Sequence, residues 1–313
     1  MNFDKKLISI VTPCYNEEKN VTEAYSQVKK IMEECGYNYE HIFIDNSSVD
    51  KTVSILKDIA AQDERVKIII NARNFGQLKS PYHALLQTKG DAVILLYCDL
   101  QDPPSLIRDF IKKWEEGFKV VAGVKDKSEE SPMMFAVRKL YYSLLKIISD
   151  TEQIKNFNGF ALYDRQIIET LKQVDDPDPY LRGLICEIGF SRTEVKYTQA
   201  TRKKGKSSNN FYTLFDVAML GFINHSKLPL RMASLIGFGM SLISFIIGIV
   251  YLVYKLLFWS RFQAGLAPVI IGIFFFASVQ LFFIGVLGEY IGAIYTQVKR
   301  RPLVIEKERI NFE

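Results

Sequence analysis

The chain reads as an α/β domain with a mainly parallel sheet wrapped by helices, followed by a pair of membrane-spanning helices. Three observations predict this. Short β-branched or apolar runs alternate, from Leu7 to Val124, with segments whose apolar positions recur at three and four, as in repeated strand–helix units. Apolar residues are unevenly spread over the 313 positions, thin up to about Lys227 and dense from Leu228 to Val298. Within the dense part the 23 residues Met232–Tyr254 and the 27 residues Phe262–Gly288 carry no charge. Each exceeds the roughly 20 residues that a bilayer-spanning helix needs.

Leu7-Ile8-Ser9-Ile10-Val11-Thr12-Pro13 is a strand closed by proline, and Val21, Ala24, Tyr25, Val28, Ile31 and Met32 then follow at helical spacing. Tyr39–Asp45 predicts a second strand, Ser47–Asp50 caps a helix through Ala60, and Val66–Ile70 predicts a third strand ending at Asn71-Ala72-Arg73-Asn74-Phe75-Gly76. A helix near Ser80–Thr88 precedes the run Ala92–Pro104, a strand apolar enough to be covered on both faces until its acidic turn and Pro103-Pro104 stop it. Pro104–Glu116 is helical, Val120–Val124 a strand, Met133–Ser149 helical, Phe157–Tyr163 irregular then strand-like, and Ile185–Tyr197 should supply late strands. Phe211, Leu214, Phe215, Ala218, Met219 and Phe222 stripe one face of a short helix, suited to lying in the plane of a membrane or to packing on the domain. The expected segments are therefore 1–208 as the large domain, 209–227 as a juxtamembrane amphipathic helix, 228–298 as a transmembrane hairpin and 299–313 as a tail.

Basic residues set the expected orientation. Lys227 and Arg231 precede the first span and Lys299, Arg300 and Arg301 follow the second, against only Lys255 and Arg261 between them, so both ends should face the cytoplasm. Leu7–Cys14 is too short and ends too polar for a secretory signal. Cys14, Cys35, Cys98 and Cys186 lack the paired spacing of a zinc site and should remain thiols in a cytosolic domain. The formal charge of +5 is modest, and its basic residues are not interleaved along a broad face, which argues against nucleic acid as a partner. Small residues such as Gly237, Gly248, Gly285 and Gly292 would let the spans pack closely within one chain or between copies, as in a homo-oligomer.

Open α/β sheets bind ligands at the carboxyl ends of their strands. Asp99, Gln101 and Asp102 cluster at one such end, where carboxylate and amide oxygens suit a hard cation, Mg2+ or Mn2+, that completes its shell with water and phosphate. Asp99 is the leading ligand, with Gln101 and Asp102 to assist. Pro13-Cys14-Tyr15-Asn16-Glu17-Glu18 and Asp45-Asn46-Ser47-Ser48-Val49-Asp50 end neighbouring strands, so three polar loops should meet at one edge. His41, His83 and His225 are widely separated and support no histidine dyad.

These motifs, with Arg73-Asn74-Phe75-Gly76, Asn156-Phe157-Asn158-Gly159-Phe160 and the two spans, resemble the family-2 glycosyltransferases of GT-A fold, a Rossmann-like nucleotide-sugar-binding domain. Within them the chain is similar to the polyprenyl-phosphate sugar transferases, whose branches include bactoprenol glucosyltransferases and dolichyl-phosphate mannose synthases. The resemblance implies Pro13, Tyr15, Glu17, Asp45, Asn74 and Gly76 as contacts of a nucleotide-sugar donor, with Asp45 on the base. It implies Asp99 and Gln101 as metal ligands, and Arg202, Lys203 and Lys206, with Arg138 and Lys125, as groups for the acceptor's phosphate. The implied reaction is inverting transfer of a hexose, most simply glucose from UDP-glucose, to undecaprenyl phosphate at the cytoplasmic face of a bacterial inner membrane. GDP-mannose or a modified aminosugar donor is the nearest alternative.

Several positions depart from the family pattern. Tyr97 stands where the metal motif has its first aspartate, and Asn46 where the second loop has its second. Asn156-Phe157-Asn158-Gly159-Phe160-Ala161 replaces a motif that begins with Asp and ends with Arg, and Ser208 replaces the last Lys of a basic signature. A phenol is a poor ligand for Mg2+ at neutral pH. The departures leave a different class open: a membrane scaffold that keeps the fold with weak catalysis.

Overall fold

The computed structural model of the chain describes residues 6–127, 154–199, 228–258 and 266–312. Two compact units result, one of Met1–Ala218 with Lys299–Glu313, the other of Met219–Val298.

The first unit is built on an eight-stranded sheet. Its early elements are β1 (Leu7–Cys14), α1 (Val21–Cys35), β2 (Asn38–Asp45), α2 (Thr52–Gln62), β3 (Val66–Asn71), α3 (Gly76–Leu86), β4 (Ala92–Leu95) and, after a 3-10 turn at Pro104–Leu106, α4 (Ile107–Glu115). Then come β5 (Val120–Lys127), β6 (Phe157–Asp164), α5 (Arg165–Gln173), α6 (Leu181–Ile188), β7 (Arg192–Thr198) and, from beyond the apolar helices, β8 (Glu306–Ile310). The strand order is β7-β5-β6-β4-β1-β2-β3-β8. β3, β2, β1 and β4 run parallel, as do β5 and β7, whereas β6 lies antiparallel to both β4 and β5, and β8 antiparallel to β3.

Both faces of the sheet are covered, which is why its strands read as continuous apolar runs. Val11, Val93, Leu95, Ala161 and Tyr163 face a core shared with Tyr82 and Leu85 of α3, Ile168 and Leu171 of α5, and Leu184 and Ile185 of α6. Their alternates Ile8, Ile10, Ile94, Phe160 and Leu162 face α1 and α4 through Val28, Met32, Phe110 and Trp114. α1 buries Val21, Ala24, Val28, Ile31 and Met32, the stripe its spacing predicts, and stops at Gly36, whose φ of +72° closes a left-handed cap with its N–H on the Met32 carbonyl.

The structure alters two expectations. The strand expected to run from Ala92 to the acidic turn at Asp99 is regular only to Leu95; one further bond from the Leu96 N–H to the Val11 carbonyl follows, and then the chain turns through Leu100 at φ +55°. Of the late strands expected over Ile185–Tyr197, the first part is the end of α6, where Leu184, Ile185 and Cys186 are buried and Gly189 caps the helix at φ +74°. Helical spacing won over the short apolar run. Between β4 and β5 the sheet holds β6, antiparallel to both, a pairing on which the sequence reading was silent.

β8 has no counterpart in the sequence reading, which left residues 299–313 as a tail. It pairs with β3 from Ile68↔Ile310 to Asn71↔Glu306, Asn311 donates to the Ala60 and Val66 carbonyls, and Lys57 pairs with Glu308 at 2.8 Å. Glu306 meets His83 of α3 at 2.5 Å.

The second unit contains α7 (Leu228–Leu257) and α8 (Leu266–Lys299). Leu230–Leu257 and Ile271–Lys299 are long and apolar enough to cross a bilayer, and both are exposed along their length. The helices expected over 133–149 and 209–227 lie outside the described residues.

Candidate active site

A cleft of about 530 Å3 opens at the carboxyl ends of the parallel strands, lined from the loops after β1, β2, β3 and β4 and from residues 125, 158–159 and 179–182. This is the edge at which the motifs were expected to converge.

The first wall is knitted by short loops. Asn16, at φ +56°, accepts from the Val49 N–H (2.9 Å) and donates its own N–H to the Ser48 hydroxyl (2.8 Å), and the Glu17 N–H donates to Thr52 (2.8 Å). Pro13, Tyr15 and Glu17 line the cleft as a result. Asp45 does not. It is fully buried, and its carboxylate accepts from the Ser48 N–H (2.9 Å) and hydroxyl, so it shapes the loop from behind the wall. Burial pushes the Asp45 pKa up, with the Ser48 bonds pulling against it.

Asn46, beside it, lines the cleft. Its oxygen accepts from the Phe75 N–H (2.9 Å) and from Asn71 (3.1 Å), and its amide nitrogen donates to the Gly76 carbonyl (3.1 Å) and the Asn74 side-chain oxygen (2.8 Å). Backbone partners on both sides fix which way the amide points. A carboxylate could not make both donor bonds, so the departure from aspartate here latches the second loop to Asn74-Phe75-Gly76. Asn74 and Gly76, both expected donor contacts, are positioned by this latch, and Asn74 also caps the Gly76 N–H at 2.8 Å.

The second wall is held by residues far apart in the chain. Asp102 is buried, and its two oxygens accept from the Asn158 amide (2.7 Å) and from the Tyr197 hydroxyl. Asp102 also lines the cleft beside Asp99 and Gln101, and from there its carboxylate fastens β6 and β7 to the turn. Tyr97 donates its hydroxyl to the Asn158 carbonyl at 3.0 Å. Burial pushes its pKa up to about 12. Gly159, at φ +106°, leaves room for that phenol, since a Cβ there would come within 3.2 Å of the Tyr97 oxygen. Tyr97 and Asn158, two departures from the family pattern, are therefore partners in one brace.

Asp99 and Gln101 line the cleft half-buried, with the Gln101 N–H on the Asp99 carboxylate at 3.3 Å. Tyr97 remains a neutral phenol, and no group of three or more His, Cys, Asp or Glu converges among the described residues. Such a donor set fits a hard divalent cation that takes one or two protein ligands and fills its shell with water and phosphate oxygens.

Lys125 lines the cleft as well. Arg138, Arg202, Lys203 and Lys206 lie outside the described residues. Sequence reading missed Asn158 as a fastener, and it missed Tyr180 and Arg182 in the cleft wall. A signal for Arg182 was present: it is the lone charge between Pro179 and Glu187.

Residues 9–172 match the family model described as glycosyl transferase family 2. The chain is also 34% identical over 306 residues to a Bacillus subtilis protein named "Uncharacterized glycosyltransferase YkcC", covering 97% of this chain and 94% of that one. The chain belongs to glycosyl transferase family 2. This family 2 transferase is similarly 34% identical to the SfII prophage-derived bactoprenol glucosyl transferase of Shigella flexneri, with 96% of this chain and 97% of that protein aligned. It is 31% identical to the prophage bactoprenol glucosyl transferase homolog of Escherichia coli, over 96% and 98%. The layered domain of the transferase has the GT-A fold, and the alignments with these relatives take in 96–97% of the chain, beyond the residues of the family match.

Proposed function

We propose that the protein transfers glucose from UDP-glucose to undecaprenyl phosphate, or to a polyprenyl phosphate of similar chemistry, at the cytoplasmic face of a bacterial inner membrane, with inversion at the sugar. The observation that carries this reading is the cleft itself: a half-buried Asp99 faces loops suited to a nucleotide, in a chain that also carries two helices fit to hold it at a bilayer. Its likeness over nearly full length to proteins named as bactoprenol glucosyl transferases supports the choice of sugar and acceptor.

A lipid phosphate is already anionic near neutral pH, so its oxygen attacks the anomeric carbon without a general base, and the nucleoside diphosphate leaves from the opposite side. The protein's share is positioning and charge. Pro13, Tyr15, Glu17, Asn74 and Gly76 would hold the donor, with Asn46 and Asp45 keeping their loops in place. Asp99 and Gln101 would hold Mg2+ or Mn2+, whose charge would neutralise the diphosphate as it departs. Lys125 faces the same cleft, and the basic run beginning at Arg202 follows the cleft-lining Gln199 by three residues, a span of at most about 11 Å.

Cytoplasmic sidedness is supported by the basic residues Lys227, Arg231, Lys299, Arg300 and Arg301, which flank the outer ends of the two spans in the sequence.

The test is incubation of the purified full-length protein with Mg2+ or Mn2+, a short polyprenyl phosphate and a panel of radiolabelled nucleotide sugars. Label from UDP-glucose should enter the organic phase. Label from another donor alone would reassign the sugar, and binding of nucleotide without lipid-linked product would favour the scaffold.

A further inference from the structure

Arg182 is the cation of the cleft wall that the motifs do not cover. It is the second residue of α6, and Tyr180, Leu181 and Arg182 together line the cleft beside Tyr97, Asp99 and Asn158. The helix cannot swing it away, because Leu184, Ile185 and Cys186 are buried in the core under β6. One guanidinium N–H donates to the Phe157 carbonyl at 3.3 Å, and the group stands 5.6 Å from the centre of the Tyr180 ring. Both contacts orient the planar fork, which has five N–H donors to distribute.

Arg182 lines the same cleft as Tyr97, Asp99, Gln101 and Lys125. Tyr97 lies two residues before Asp99, so the guanidinium and the expected metal ligand serve the same end of the cleft. At position 97 the family pattern has a carboxylate; here a phenol engaged with the Asn158 carbonyl lines the cleft together with Arg182. A fork of this kind matches the paired oxygens of a phosphate better than a lysine ammonium does.

We propose that Arg182 binds a phosphate group of a substrate in the cleft, either the diphosphate of the nucleotide sugar or the phosphomonoester of the lipid acceptor. This rests on the functional reading above. It adds a phosphate-binding residue on the α6 side of the site.

The full-length protein in lipid nanodiscs, as wild type, Arg182→Gln and Arg182→Lys, decides the matter in two measurements. Calorimetry without acceptor compares UDP and GDP with uridine and guanosine; initial rates are then measured against polyprenyl phosphate concentration. If Arg182 meets the diphosphate, Arg182→Gln weakens binding of the nucleoside diphosphate about tenfold or more and leaves the nucleoside unchanged. If it meets the acceptor, diphosphate binding holds and the acceptor KM rises by about the same factor. Arg182→Lys should lie between wild type and glutamine in whichever quantity moves, and it decides alone should Arg182→Gln fail to fold. Both quantities within about twofold of wild type, or a fall in kcat alone, would overturn the assignment. A wild-type protein that binds no nucleoside diphosphate would instead remove the functional reading on which the assignment rests.

Discussion

The two walls of the cleft are held by opposite means. On the side of β1, β2 and β3, loops bind one another through side chains reaching backbone groups about thirty residues away or nearer, as Asn46 does to Phe75 and Gly76 and Asn16 to Val49. On the side of β4, β6 and β7, one buried carboxylate, Asp102, gathers Asn158 and Tyr197 from 56 and 95 residues downstream. The first wall can deform loop by loop. The second centres on that carboxylate, with the Tyr97 bond to the Asn158 carbonyl beside it, and losing Asp102 strands the Asn158 amide and the Tyr197 hydroxyl.

Substitutions can break or sharpen this contrast. Asp99→Ala removes a carboxylate that lines the cleft, so transfer should fall by at least about a hundredfold with the protein still folded. A wild-type rate would take Asp99 out of the site. Asp102→Ala should cost about 2–4 kcal/mol in denaturant unfolding, because the Asn158 amide and Tyr197 hydroxyl are stranded, and transfer should fall with it. A loss below about 0.5 kcal/mol would mean that the second wall has other fasteners. Asn46→Asp sets an oxygen against the Gly76 carbonyl and should cost about 1–2 kcal/mol, with weaker donor binding but an unaltered acceptor KM.

The smallest effect is one of pH beneath the first wall. His41 on β2 is buried against Phe43, its Nε2 is 2.9 Å from the Thr12 hydroxyl, and its Nδ1 has no hydrogen-bond partner among the described residues. Burial lowers its pKa to about 3 from an ordinary value of 6.5. The unfolded chain therefore binds the extra proton between these values, so the contribution of His41 to stability is full above pH 6.5 and is lost progressively as pH falls toward 3. Urea unfolding should show about 1–2 kcal/mol of this loss between pH 7 and 5, and His41→Gln should be flatter over the same interval. Equal slopes would assign the acid sensitivity to other groups.

The same contrast explains what could be read from the chain. Strands β1 to β4, the helices between them and the stripe of α1 follow from local spacing, and the loops they carry land at one edge because parallel strands end together. The placement of Asp99 and Gln101 at that edge was legible for that reason. The fastening role of Asp102 was not, since an Asp before Pro-Pro looks the same whether its partners are solvent or Asn158 and Tyr197. Asn46 and Tyr97 read as lost charges because the amide's donors and the phenol's hydrogen bond depend on residues brought near only by folding. β6 entering between β4 and β5 is likewise a pairing of distant segments, invisible to periodicity.

β3 offers Ile68, Ile69 and Ile70 at what would be the rim of the sheet, and an uncovered apolar rim invites foreign strands to add to it. Glu306-Lys307-Glu308-Arg309 occupies that place with charged side chains turned mostly to water. Residues that a sequence reader would discard as a polar extension thus guard the domain against self-association, and a shortened protein lacking them should precipitate well before it loses its cleft.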